Sequence, residues 1–216
     1  AFAINITSKL YNSGYVALDD FEVTGDEPGG STVDPGDPDK VVCELPYSQS
    51  FDNENKDYDG TTYVPKGWLA TGTSTFTTAN TNDLKAADGS YYLIAPESRV
   101  QRDDRIYTPY FHMQAGVEYT ASFYLYMPGN LDQGHASDFS FTVGDEQDSE
   151  FHTPLLTLPR YTNEAWTKHT VKYTPEEDGD YCFSFALGGE DTYAGEACID
   201  LFTVTSPDAK AKPRAV

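Results

Sequence analysis

From about residue 41 onward the chain alternates apolar and polar residues in short runs, each stopped by Gly, Pro, Asn or Asp. A period of two turns one side of a run toward a core and the other toward water, which is the pattern of a β-strand. Strands are predicted at 45–52, 90–95, 105–111 (with Pro109 at an edge or bend), 117–126, 138–143, 166–173, 181–187 and 197–205, with a short one at 155–158. The longest, Val117 to Tyr126, is stopped by Pro128-Gly129. No segment sustains a helical period over a dozen residues. Many short strands between turn residues predict an all-β fold, a jelly-roll β-sandwich of two antiparallel sheets. In such a roll the closing strand 197–205 pairs near the opening one.

The closing strand has a second copy. Val16 to Thr24 slides onto Ala197 to Thr205 without a gap, and the match extends to the start of the chain. Phe2 falls on Phe183, Gly14 on Gly195, Asp19 on Asp200, Phe21 on Phe202 and Val23 on Val204. A fixed offset marks a repeated structural unit. Residues 1–24 are therefore expected to be the closing hairpin of a preceding homologous module. Residues 25–40 are rich in Gly, Pro and Asp without an aromatic, and form a linker. Residues 41–205 make a complete module, and 206–216 a polar tail or linker.

Composition narrows the partners. The chain has 216 residues with 35 Asp and Glu against 14 Lys and Arg, a formal net charge of −21. Nucleic acid and anionic membrane are excluded as expected partners by like charge. No run of apolar residues is long enough to span a bilayer. With 14% aromatic residues, 16 of them Tyr, the sequence suits a twisted β surface. The three cysteines, Cys43, Cys182 and Cys198, are too few for a disulfide scaffold and are expected mostly as free thiols. If 181–187 and 196–205 form a hairpin, Cys182 lies opposite about residue 202, away from Cys198, so Cys43–Cys198 is the pairing to check.

Candidate chemistry centres on oxygen ligands. By alternation Asp200 shares a face with Phe202 and Val204, as Asp19 does with Phe21 and Val23. A carboxylate on an apolar face is costly unless paired or metal-bound. Either Asp200 lies at the wet end of its strand or it holds a cation, and the scarcity of nearby Lys and Arg favours the cation. The loop Asn55-Lys56-Asp57-Tyr58-Asp59-Gly60 matches the first half of a calcium loop, with Asn55, Asp57 and Asp59 as alternate oxygen donors. Its twelfth position is Lys66 instead of Glu, so it is no complete EF-hand, and a solvated acidic loop is the plainer alternative.

Enzymatic signals are poor. The four histidines have no H-x-x-x-H spacing, and neither C-x-x-C, G-x-S-x-G nor a phosphate-binding glycine loop is present. No catalytic residues are assigned and no enzyme activity is expected. Tyr58, Tyr63 and Trp68, in a loop-rich stretch, are candidate ligand contacts, since a sugar stacks its C–H face on an aromatic ring; core packing is the competing reading for each. Trp166, opening an alternating strand, is expected in the core.

The ordered series Leu45-Pro46-Tyr47, Phe51-Asp52, Gly67-Trp68, Ala87-Asp88-Gly89-Ser90-Tyr91, Asp104-Arg105-Ile106-Tyr107-Thr108-Pro109, Gly116 to Leu125, Trp166, Gly179-Asp180-Tyr181 and Ile199-Asp200 resembles the choice-of-anchor J and cleaved-adhesin modules of Bacteroidetes surface proteins. That group includes the gingipain adhesin domains, and MAM domains are similar at a greater distance. The likeness covers residues 45–205. It implies a jelly-roll sandwich with structural calcium, secreted or at the cell surface. The family's acid after the first strand matches Asp52 and its closing-strand acid matches Asp200, while Asp104 joins the candidate metal ligands from its own motif. The family's second closing-strand acid is Leu201 here, a departure, although Asp20 keeps it in the first copy. The expected function is a non-catalytic adhesion or binding module of a larger protein, its partners a host or cell-surface protein or glycan and its neighbouring modules. A carbohydrate-binding accessory domain of a secreted hydrolase or protease, or a structural spacer, are the alternatives.

Overall fold

The computed structural model describes residues 40–52, 63–72, 76–81, 83–98, 103–129, 136–148, 152–188 and 195–207. The chain divides into two compact units, Ala1–Gly36 and Asp37–Val216, and every described residue belongs to the second. The expected first-copy hairpin at 1–24, most of the linker and most of the polar tail lie outside the described residues.

Among the described residues, thirteen strands build two sheets that pack face to face, a jelly-roll sandwich. The first sheet contains β1 (Val42–Cys43), β3 (Leu69–Thr71), β6 (Asp104–Tyr107), β7 (Tyr110–Met113), β9 (Ser137–Gly144), β10 (Thr153–Tyr161) and β12 (Gly179–Gly188). The second contains β2 (Tyr47–Gln49), β4 (Thr77–Ala79), β5 (Tyr92–Ala95), β8 (Tyr119–Tyr126), β11 (Thr167–Tyr173) and β13 (Ala197–Thr205). All pairings are antiparallel except β1 with β7. Among the described residues no helix is long and apolar enough to cross a membrane.

Each sheet is organised on a strand near the end of the chain. β12 pairs β9 along one edge and β7 then β6 along the other. β13 pairs β8 along one edge and β5 then β2 along the other, so the closing strand lies beside the opening one as expected. β12 and β13 thus belong to different sheets and form no hairpin, which corrects that expectation and the Cys182 register drawn from it. Cys43 lies in β1 of the first sheet and Cys198 in the second, and all three thiols are free. Burial pushes the Cys182 thiol up to about 12 and raises Cys198 as well, which keeps both unreactive.

The predicted 105–111 strand is two strands, because Pro109 has no N–H to give the ladder. Buried Thr108 bridges the break: its N–H donates to the Phe183 carbonyl (2.8 Å), and its Oγ1 accepts from the Phe183 N–H (3.0 Å). The short segment expected at 155–158 is part of the nine-residue β10, whose prolines 154 and 159 accompany shifts in its register with β9. β1, β3 and β4, two or three residues each, carry too little alternation to predict.

The core is aromatic. Phe141, Phe183 and Phe185 from the first sheet meet Phe123 and Phe202 from the second, with Phe185 edge-on to Phe123 at 5.0 Å and to Phe202 at 5.6 Å. Fully burying such a side chain is worth about 1.5–3 kcal/mol, and edge-on pairs add to that. A smaller cluster of Ala86, Tyr92 and Cys198, with half-buried Trp166 and Tyr126, is separate from the main core.

Candidate functional site

The alternation of β13 breaks at Asp200. Ala197 and Ile199 point into the main core, as do Phe202 and Val204, whereas Cys198 joins the smaller cluster on the other side. Between them the pairing with β8 slips from Asp200↔Tyr124 to Thr203↔Ser122, and Leu201 takes a φ of 44°. This is a β-bulge, with one residue in excess on β13. Asp200 therefore does not share the face of Phe202 and Val204, as strict alternation implied; it lies on the opposite face, with Cys198.

There Asp200 is fully buried beneath the turn 87–91 that leads into β5. The Asp88 N–H donates to its Oδ2 (2.8 Å) and the Leu201 N–H to its Oδ1 (2.6 Å). Asp52 grips the same turn from another side: the N–H groups of Ser90 (2.6 Å) and Tyr91 (2.9 Å) donate to its Oδ1. Gly89, at φ +69°, gives the turn its sharp bend, and a Cβ there would run into the Asp52 carboxylate. Burial pushes the Asp200 carboxyl up to about 6; backbone N–H donors from Asp88, Leu201 and Ala87 oppose the rise, and the Asp88 charge adds to it.

Two of the predicted metal ligands thus converge on one five-residue turn, which unites Asp52, Asp200 and the Ala87–Tyr91 motif. The donors are oxygens only, the kind a hard cation takes. Among the described residues no group of three or more His, Cys, Asp or Glu is placed to hold a metal ion. Asp104 is buried on β6 in the other sheet, against Gly72. Asn55, Asp57, Tyr58 and Asp59 lie outside the described residues.

Of the predicted ligand contacts, Trp68 is only 6% exposed. Its ring packs against Phe51, Phe185 and Phe202, and its Nε1–H donates to the Tyr47 hydroxyl (3.1 Å). It is a core residue in this conformation, unavailable for stacking. Tyr63 is half-buried beside β4, its N–H donating to Thr77 Oγ1 (3.0 Å) and its carbonyl accepting from the Thr78 N–H (2.9 Å).

Accessible rings lie elsewhere. On β8, Tyr124 and Tyr126 are two apart and half-buried. Trp166, expected in the core, packs on Tyr126 (5.7 Å) and Tyr92 (5.9 Å), and its Nε1–H donates to the Lys85 carbonyl (2.9 Å). Lys168 lies 5.9 Å from the Tyr124 ring centre. These rings border the turn that Asp52 and Asp200 hold, so the clasp and the aromatic row are neighbours on one face. Alternation on β8 carried the signal for Tyr124 and Tyr126; Trp166, which precedes β11, packs on the smaller buried cluster and not in the main core.

The first sheet's outer aromatics are covered. Tyr107 is 2% and Tyr110 9% exposed. Lys40 lies over Tyr110 (4.4 Å), and Arg105 (6.0 Å) and the edge of His152 (5.4 Å) lie against Tyr107. Gln147 closes over this face, its N–H donating to the Tyr110 hydroxyl and its Nε2 to the carbonyls of Gly67 and Thr108.

Comparison with known proteins agrees with this architecture. The chain is similar in structure to the K1 cleaved adhesin domain of Lys-gingipain from Porphyromonas gingivalis, with a TM-score of 0.53 at 13% identity, over 74% of this chain and 96% of that one. The K3 cleaved adhesin domain of the same protein gives 0.50 at 11%, over 74% and 97%. TmCBM61, solved in complex with β-1,4-galactotriose, gives 0.50 at 14%, over 73% and 99%. No curated protein matches by sequence. The carbohydrate binding domain family matches residues 44–191, most of the second unit and most of the whole chain. The chain belongs to the carbohydrate binding domain family.

Proposed function

We propose that this chain is a non-catalytic, extracellular carbohydrate-binding module of a larger protein, and that it binds glycan on the row Tyr124, Tyr126 and Trp166. Membership of the family supports the ligand class. The observation that carries the site is the partial exposure of these three neighbouring rings on the second sheet, where Tyr107 and Tyr110 on the first sheet are buried, Tyr110 beneath Lys40 and Gln147. A sugar ring presents C–H groups to a π-face and loses little entropy on docking to side chains already fixed by packing.

The turn between Asp52 and Asp200 sets the position of the neighbouring row. Asp52 and Asp200 bring carboxylate oxygens to the same turn, and a calcium ion would offset the burial and the Asp88 charge that raise the Asp200 carboxyl. Calcium at this clasp is part of the proposal, with Asp52 and Asp200 as its ligands and a structural role in stiffening the turn. The test of the reading is retention of the purified chain on immobilised neutral polysaccharides. Binding that is lost on Trp166→Ala or Tyr124→Ala supports it, and the absence of binding to any glycan rejects it.

A further inference from the structure

The corner where β11 ends and β12 begins holds an open cleft of about 440 Å³. It is lined by Thr153, Tyr173, Thr174, Glu176, Glu177 and Tyr181. The two tyrosines are half-buried and meet edge to face at 5.6 Å, so they supply apolar ring surface at fixed positions. Two threonines and two exposed glutamates supply hydroxyls and carboxylates around them. Rings for stacking with a few convergent polar groups in a concave site of this volume are what a small polar ligand requires.

The corner is also built to hold its shape. The Tyr181 hydroxyl donates to the Glu177 carbonyl (3.0 Å). The turn that carries the glutamates is tied to the neighbouring 114–117 turn: the Gly116 N–H donates to the Pro175 carbonyl (2.9 Å), and the Ala115 N–H to Asp178 Oδ1 (2.7 Å). Burial first, then the neighbouring Tyr181, pushes the Tyr173 phenol up to about 12, so it stays a hydroxyl at any physiological pH. None of these residues takes part in the aromatic row on the second sheet's outer face.

We propose that this cleft is a second carbohydrate site, which seats one neutral sugar unit with its ring against Tyr173 and Tyr181 and its hydroxyls donating to Glu176 and Glu177. Charge selects the class. A uronate or other acidic sugar would bring its carboxylate against Glu176 and Glu177, whereas neutral hydroxyls gain charge-assisted hydrogen bonds there. The cleft's size suits a single unit or a chain end. This inference rests on the reading of the chain as a carbohydrate-binding module.

The experiment is an amide chemical-shift titration of the whole chain with methyl glycosides of several neutral hexoses and pentoses, and with methyl glucuronide. At least one neutral glycoside is expected to shift the amides of 173–181, and methyl glucuronide to do so about tenfold more weakly. Glu177→Gln, an exposed change that leaves the Tyr181–carbonyl contact intact, should weaken the neutral sugar and relax the discrimination against glucuronide. Trp166→Ala should leave these shifts unchanged. Glycosides that shift only residues around Tyr124 and Trp166, or glucuronide binding as tightly as the neutral sugars, would overturn the second site and leave the proposed function standing. Failure of every glycoside and of every longer glycan to bind would overturn both.

Discussion

Asp52 and Asp200, at opposite ends of the module, hold the same turn. Asp52 accepts the N–H groups of Ser90 and Tyr91, and Asp200 accepts that of Asp88, so three of the turn's main-chain donors end on two carboxylates. A hydrogen bond to an ionised group contributes about 1.5–3 kcal/mol when its loss leaves a partner unsatisfied. Asp52→Asn and Asp200→Ala should each lower stability, by about 1–3 kcal/mol in urea unfolding, since each weakens or removes the acceptor of main-chain donors of the turn. The double variant should lose less than the two losses combined, since either change alone loosens the same turn. Gly89→Ala should be worse than Asp52→Asn, because it adds left-handed strain to a clash with that carboxylate.

Calcium at the clasp has a separate signature. An ion bound only by the folded chain raises stability by mass action. Excess EDTA should therefore lower the melting temperature of the native chain and leave that of the Asp52→Asn, Asp200→Asn variant unmoved. An EDTA-insensitive native chain with no metal by elemental analysis would remove calcium from the account.

Trp68 separates packing from ligand contact. Trp68→Ala should cost about 3–5 kcal/mol, typical of emptying a large aromatic site, and Trp68→Phe less. In whatever fraction of Trp68→Phe remains folded, glycan affinity should match the native chain. A large loss of affinity without loss of stability would return Trp68 to the ligand contacts.

His169 gives the fold a pH dependence of known sign. Its ring stacks on Phe123 at 5.5 Å, its Nε2 is buried without a hydrogen-bond partner, and burial holds its pKa below the ordinary 6.5. Below 6.5 the unfolded chain takes up a proton that the folded chain refuses, so this residue's effect is to lower stability as the pH falls from 6.5 toward the depressed folded pKa, and to level off beneath it. The difference between native chain and His169→Gln, followed by urea unfolding from pH 7.5 to 5, should show that slope. A difference that does not vary with pH would mean that the folded chain takes up the His169 proton as readily as the unfolded chain.

β8, β9, β11, β12 and β13 stand close to where hydrophobic periodicity puts them, whereas β10, nine residues long with Pro154 and Pro159 in it, shows alternation only over 155–158. Two- and three-residue strands show no periodicity, and their pairing is set by tertiary contacts. The convergence of Asp52 and Asp200 on the 87–91 turn could not be read from spacing, because it depends on the order of strands across the second sheet. The orientation of Asp200 was misread for a local reason, a single bulge residue at Leu201 that reverses the alternation and leaves no mark in the pattern of residue types. Trp68 takes the core position that was one of its two readings, and Trp166, which opens a strand, packs half-buried on the smaller cluster instead of in the main core. Pattern alone cannot tell which side of a sheet a flanking residue folds over.

The most direct test of glycan binding on the outer face of the second sheet is calorimetric titration of the native chain and of Tyr124→Ala and Trp166→Ala with neutral oligosaccharides of increasing length. Affinity should rise with length in the native chain, and each variant should lose about tenfold or more while its melting temperature stays within a few degrees of native. Equal affinity in native chain and variants, or no heat with any oligosaccharide, would contradict glycan binding on that face.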